Sequence, residues 1–274
     1  MKNKPFRAIT YAFAVFWALA TLIPLLTTLL SSFKSNSDIF GGALFLPTEW
    51  LFENYRDALI DANILASVVN SLILGLGTTA VVVLVSLLAS YILARQKFFF
   101  IKPLYLFFLT GLMLPVHATI IPISKIAASL KATDNFLFII LVYAAFQLPQ
   151  AIFLITGYIS GVSRELDEAA IIDGCSLPGT LFRIITPVSS PILSTVAILS
   201  FIYGYSELVF SVILLNNKAL FPVSRALMFF TGERVTRMGP VFASIIVAVL
   251  PMVILYILFH EKVQKGMVAG SVKG

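Results

Sequence analysis

The chain has 274 residues, 59% hydrophobic and 12% charged, with a mean hydropathy of +0.99; a soluble domain carries about twice that charged share, so lipid rather than water is its main solvent. A single cysteine, Cys175, excludes an intramolecular disulfide and a multi-cysteine metal site, and His117 and His260 lie too far apart in sequence to suggest a cluster. The net charge of +6 comes without basic runs interleaved with aromatics, which argues against nucleic acid and for basic loops at the cytoplasmic face of a membrane.

A membrane-spanning helix needs about 20 apolar residues. Six stretches reach that length, all free of Asp, Glu, Lys and Arg except for a lone Glu207 in the fifth, and predict spans over 9–31, 67–93, 103–122, 136–159, 187–215 and 239–259. Lys2, Lys4 and Arg7 give the first a positive start, but the 26 uncharged residues that follow exceed a signal-peptide core of about 7–15. The first span is therefore read as a retained helix. No remaining stretch is long enough for a separate soluble domain of ordinary size.

The segment 34–61 holds five acids against Lys34 and Arg56, whereas the N-terminus and the loop with Arg95, Lys97 and Lys102 are purely basic. This asymmetry places both termini in the cytoplasm, although Lys218, Arg225, Arg234 and Arg237 then fall on the outside. Within 34–61, Asn54 to Ile60 has helical spacing after the breaker Pro47, which predicts a short helix at the outer surface. Pro103 opens the third span, and Pro115, Pro122 and Pro149 predict kinks. Gly75 and Gly77 would allow close helix approach.

The most informative stretch is the loop 160–187. Ser163 caps a helix whose first turns hold Glu165, Asp167 and Glu168, matching the positive helix end. Ala169, Ala170, Ile171 and Ile172 continue it with a small, apolar surface. Gly174 permits a sharp turn, Ser176 caps a second helix, and Leu181, Phe182, Ile184 and Ile185 form its apolar face. Two readings fit these residues: a knob that fills a groove on another protein, with Glu168 and Asp173 setting register, or an amphipathic hairpin resting on lipid headgroups.

Further along, Glu207 interrupts the fifth span among Tyr203, Tyr205 and Ser206. A charge at membrane depth faces protein or water. These four residues either line a pathway, where tyrosine faces stack on sugar rings and the carboxylate accepts sugar hydroxyls, or Glu207 pairs with a helix neighbour or partner subunit. His117 and Gln147 read as structural. No Gly-rich phosphate cradle with Gly-Lys-Ser/Thr occurs, so no ATP site is visible in the chain itself.

Glu168-Ala169-Ala170, followed at characteristic spacing by Gly174, Ile184 and Pro187, resembles the loop signature of permease subunits of bacterial ATP-binding-cassette importers. Thr186 stands where the family usually has Leu. Glu53-Asn54-Tyr55, Asp173-Gly174, Phe182-Arg183-Ile184 and the end of the tail 260–274, from Gly266 to Gly274, resemble the maltose-type carbohydrate branch, the last its smaller permease in particular. The resemblance implies an all-α membrane protein of six transmembrane helices, with a cytoplasmic coupling-helix loop between helices 4 and 5, in a bacterial inner membrane. It implies a second homologous permease, two ATPase subunits that carry ATP-Mg, and an extracytoplasmic solute-binding protein as partners. On this chain it implies ATPase-coupling roles for Glu168, Ala169, Ala170, Asp173, Gly174, Ser176, Phe182 and Ile184, and a tail reaching the ATPases through Gly270, Ser271, Lys273 and Gly274. No cofactor is expected on the chain. The competing classes are a free-standing channel or ion-coupled transporter, and a membrane enzyme, for which no buried cluster of His, Asp or Cys is visible.

Overall fold

The computed structural model describes residues 4–42, 46–230 and 237–271, with side chains from Ile9 to Ile257 within them. Every regular element among the described residues is helical. Four helices are long and apolar enough to cross a membrane: Ile9–Ser31, Ile64–Arg95, Phe136–Ser160 and Met238–Ile257. Two bent helix pairs, each counted as one span, raise the number to six. The chain divides into two compact units, Met1–Ala66 with Arg225–Val253 and Ser67–Ser224 with Ile254–Gly274.

The first unit opens with α1 (Lys4–Ser31). No residue of its most apolar window is buried. Its threonines turn inward on their own helix instead: Thr27 and Thr28 donate to the Pro24 carbonyl at 2.9 and 2.8 Å, as a hydroxyl in hydrocarbon must find a local acceptor. Beyond α1 lie the short helices α2 (Asn36–Phe40) and α3 (Glu53–Ile60). The expected surface helix is therefore present, but it is tied down. Asn54, buried, donates its amide to the Ser32 and Lys34 carbonyls, both at 3.0 Å. The Tyr55 and Ser32 hydroxyls are 2.8 Å apart, and Phe33 packs among Trp50, Phe52 and Tyr55. The same Asn54 side chain occupies the space that a Cβ on Gly239 would need. Asn36 accepts the Met238 amide at 2.9 Å, and Arg237 pairs with Asp57.

In the second unit α4 (Ile64–Arg95) packs with α7 (Phe136–Ser160) and α11 (Ser190–Ser206). Both glycines of α4 act as spacers, as expected: a Cβ on Gly77 would strike the Ile140 side chain. Gly204 of α11 sits so close to Gly75 that its Cβ would lie 3.0 Å from the Gly75 Cα and 3.2 Å from the Leu74 carbonyl. Small residues let the two backbones meet where larger ones would hold them apart.

The third expected span, 103–122, is not one straight helix. α5 (Ile101–Thr110) tightens into a 3-10 turn over Gly111–Met113 and stops at Leu114. A 3-10 turn over Val116–Thr119 then starts α6 (Ile120–Ser129), bent 93° from the first half. Pro115 forces this break, since the residue before a proline avoids the helical region and Leu114 is extended at ψ 121°. Gly111 meanwhile lets α5 rest on the Pro149 ring of α7.

The fifth expected span, 187–215, is also interrupted. α8 (Glu165–Ile172) and α9 (Leu177–Thr180) are followed by a π-helical turn over Leu181–Ile185 and by α10 (Thr186–Val188). The stretch ending at Val188 meets α11 at 81°. α11 stops at Glu207, and α12 (Val209–Leu214) follows. Asn217 opens a 3-10 turn, and α13 (Val223–Ala226) leads to the last helix, α14 (Met238–Ser271). The tail expected to begin at 260 continues the sixth span as helix through Ser271, so Gly270 and Ser271 are helical, while Lys273 and Gly274 lie outside the described residues.

Candidate functional site

The loop is built by local signals. The Ser163 hydroxyl accepts the Glu165 amide at 3.3 Å and so caps α8. α8 ends in a Schellman motif: the Cys175 amide reaches the Ala170 carbonyl at 2.9 Å and the Gly174 amide reaches Ile171 at 3.0 Å. That closure needs a left-handed residue, which Gly174 supplies at φ +79°. Ser176 then caps α9 through the Gly179 amide, with Pro178 in the first turn. Pro187 cannot donate within a helix and clashes with the carbonyl one turn back; the π turn widens the helix just before it. Thr186 suits this place, because its amide and its hydroxyl, at 2.8 Å, both satisfy the Leu181 carbonyl. A leucine here would offer the amide alone.

The expected coupling residues separate by exposure. Glu168, Ala169, Asp173, Gly174, Ser176 and Phe182 are exposed, Ile184 is half-buried, and Ala170 is buried at 2%. Ala170 thus packs the hairpin rather than presenting a surface. Two larger residues dominate the tip: Ile171 at 66% and Ile172 at 84% exposure, with Leu177 beside them in sequence across the turn. Two adjacent isoleucines at the end of a charged helix, just before Asp-Gly, were the available signal for them.

The base of the loop holds a feature that sequence reasoning missed. Arg95, counted there as a loop cation, forms a 2.9 Å ion pair with Asp167, both side chains nearly buried at 7% and 13% exposure. The Tyr91 hydroxyl donates to the other Asp167 oxygen at 2.9 Å. Arg95 Nη1 also donates to the Ile159 and Val162 carbonyls, each at 3.1 Å. Arg164 reaches back to the Ala94 and Arg95 carbonyls, each at 3.3 Å. Cations at helix C-termini satisfy the last carbonyls and the negative helix end.

At the second candidate, Glu207 sits where α11 breaks. Its carboxylate accepts the Phe210 amide at 3.1–3.2 Å and so caps α12, while its carbonyl accepts the Ser224 hydroxyl at 2.8 Å. The structure brings Tyr203 and Glu207, one turn apart, to the buried Tyr143 of α7. The Tyr143 hydroxyl stands beside the Glu207 carboxylate, and the two tyrosine rings meet edge to face at 5.7 Å. Neither tyrosine hydroxyl makes a well-formed hydrogen bond. Tyr205 takes a different course, stacking on Phe201 at 5.6 Å, and the exposed Ser206 bonds to the Ile202 carbonyl of its own helix. Tyr143 had no local sequence signal; it is a tyrosine within an apolar span. Among the described residues no group of three or more His, Cys, Asp or Glu is placed to hold a metal ion.

Residues 83–268 match the family model for the binding-protein-dependent transport system inner membrane component. The chain belongs to this family. Among curated relatives, a probable ABC transporter permease protein of Bacillus subtilis is 34% identical, covering 100% of this chain and 93% of that protein. The trehalose transport system permease protein of Mycobacterium tuberculosis is 30% identical over 95% of this chain and 98% of that protein. The diacetylchitobiose uptake system permease protein of Streptomyces coelicolor is 29% identical over 98% of this chain and 90% of that protein. The fold matches a chain of a bacterial ABC transporter involved in alginate import, with a TM-score of 0.80 at 20% identity, covering 95% of this chain and 98% of that one. The protein is thus an ABC importer permease, an integral inner-membrane component and not a free-standing channel.

Proposed function

We propose that this permease carries an oligosaccharide or related carbohydrate, forms half of the translocation pathway beside a second homologous permease, and is driven through the loop 160–187 by a separate ATPase. The observation that carries the reading is the loop's division into a bonded base and an apolar tip. Ile171 and Ile172 are exposed at 66% and 84% on a helix whose other end is held by a buried ion pair. An apolar tip on a charged helix suits a protein groove better than water. ATP-Mg belongs to the two partner ATPases, which would meet the loop and the C-terminal segment at the cytoplasmic face. Gly270, Ser271, Lys273 and Gly274 are the tail residues proposed to approach them. The carbohydrate class rests on the names of the trehalose and diacetylchitobiose permeases, and delivery by an extracytoplasmic binding protein rests on the family.

The test is co-purification with the cognate ATPase. Glu168→Lys, which reverses a register charge, and Gly174→Pro, which destroys the turn, are expected to abolish binding or coupling. Wild-type coupling in both variants rejects the docking role. For the pathway, Tyr203 and Glu207 are proposed to face the carbohydrate, with the buried Tyr143 hydroxyl beside the Glu207 carboxylate behind them. Tyr205 and Ser206 are proposed to contribute less, as each is engaged elsewhere. The Phe210 amide bonds favour a second reading of Glu207, as a helix cap. Glu207→Gln separates the two: altered transport in an assembled complex supports the pathway, and lost assembly supports the cap.

A further inference from the structure

Docking alone requires an exposed tip; it does not require the buried charges beneath it. Arg95 and Asp167 join the end of α4 to α8 with almost no solvent access. A buried ion pair adds little or no stability over well-packed apolar residues of similar volume, so stability does not explain its presence. Direction does. A guanidinium is a planar fork of donors with fixed angles. Here its Nη1 donates to the Ile159 carbonyl in the last turn of α7 and to the Val162 carbonyl beyond it, while Nη2 lies 2.9 Å from Asp167 Oδ2 of α8 as an ion pair outside hydrogen-bond alignment. Arg164 returns the tie by donating to the last two carbonyls of α4. Tyr91, one turn before Arg95, holds the second oxygen of Asp167 and so fixes the carboxylate's rotation. A pivot of α8 on α4 or α7 would break these contacts.

The other end of the loop is joined differently. There the chain passes through the π turn and the 81° bend at Ser189, and its polar tie across to α7 is the Tyr158 hydroxyl on the Val188 carbonyl at 3.1 Å. This end is otherwise held by apolar packing of the buried Leu181 and Ile185, which is less directional than the charged bonds of the α4 junction.

We propose that Arg95 and Asp167, oriented by Tyr91, are positioning residues for energy coupling: they lock the loop to α4 and α7, so that these two helices, rather than α11, follow the loop when the ATPase moves it. This rests on the reading that the loop docks on an ATPase. Spin labels at Lys97→Cys and Glu165→Cys, in a Cys175→Ser background, report the α4 to α8 distance. They are to be read in the full complex in lipid nanodiscs, without nucleotide and with ATP and vanadate. The wild-type pair is expected to give one narrow distance that does not shift between the two states. In Asp167→Asn, and in the doubly apolar Arg95→Met with Asp167→Leu, the distance is expected to broaden and to shift with nucleotide, while the ATPase still co-purifies. A nucleotide-dependent shift in the wild type, or an unchanged narrow distance in both variants, overturns the lock. Loss of the fold in both makes the pair a stability element and also overturns it. Failure of the wild-type permease to retain its ATPase rejects the docking reading itself, and is seen before any distance is measured.

Discussion

Two carboxylates show opposite ways of keeping an acid inside a helical membrane protein. Asp167 is answered from afar, by a guanidinium and a phenol on α4, the latter 76 residues away in sequence. Glu207 is answered locally, by the amide three residues ahead, with a tyrosine hydroxyl standing beside it. The first arrangement ties separate helices together. The second holds its acid within one short stretch of chain at a helix break. A charge bonded across helices suits transmission of movement, and one held locally at a break suits contact with a ligand.

Breaking the long-range pair should have the largest effect. Arg95→Ala leaves Asp167 buried without its cation and is expected to destabilise the protein by about 3–5 kcal/mol, whereas Arg95→Met with Asp167→Leu should recover most of that loss. Thermal unfolding in detergent distinguishes the two, and equal losses would mean that the carbonyl bonds of Arg95 dominate. Gly204→Ala sharpens the setting of Glu207: its new Cβ meets backbone of α4, and overpacking of this kind costs about 1–3 kcal/mol. Gly174→Ala tests the tip without touching the base. A left-handed alanine costs about 1–2 kcal/mol, and weaker ATPase co-purification is expected with the Arg95–Asp167 junction intact.

At Glu207 the expected change is smaller. Glu207→Ala removes a helix cap, worth about 0.5–2 kcal/mol, while Glu207→Gln keeps an acceptor for the Phe210 amide and should unfold at nearly the wild-type temperature. The smallest effect belongs to a third carboxylate, Asp38 of α2. The Thr48 hydroxyl and amide donate to it at 2.7 and 3.0 Å and hold its carboxyl below the ordinary value of 3.8. Its stabilisation is therefore present above that value and is lost as pH falls through the lower folded-state value. The difference in thermal midpoint between wild type and Asp38→Asn should shrink as pH is lowered from about 5 toward 3; a constant difference would exclude the carboxylate.

By itself the sequence determined what short-range physics controls. Apolar length indicated where helices long enough to cross a membrane form, such as Ile9–Ser31 and Phe136–Ser160. Ser163, Gly174 and Ser176 set the loop's caps and turn, because a cap or a left-handed residue acts within three or four positions. The loop signature was enough to indicate the family, since its spacing is a property of one hairpin. Tertiary structure decided the rest. The 93° angle at Pro115 is set in three dimensions, where Gly111 of the bent stretch rests against Pro149 of α7. Which side of the hairpin faces out, with Ala170 inside and Ile172 outside, depends on what the hairpin packs against. Arg95 looked like any loop cation until α7 and α8 closed over it, because a cation's partner is set by distance in space, and hydropathy along the chain carries no record of that distance.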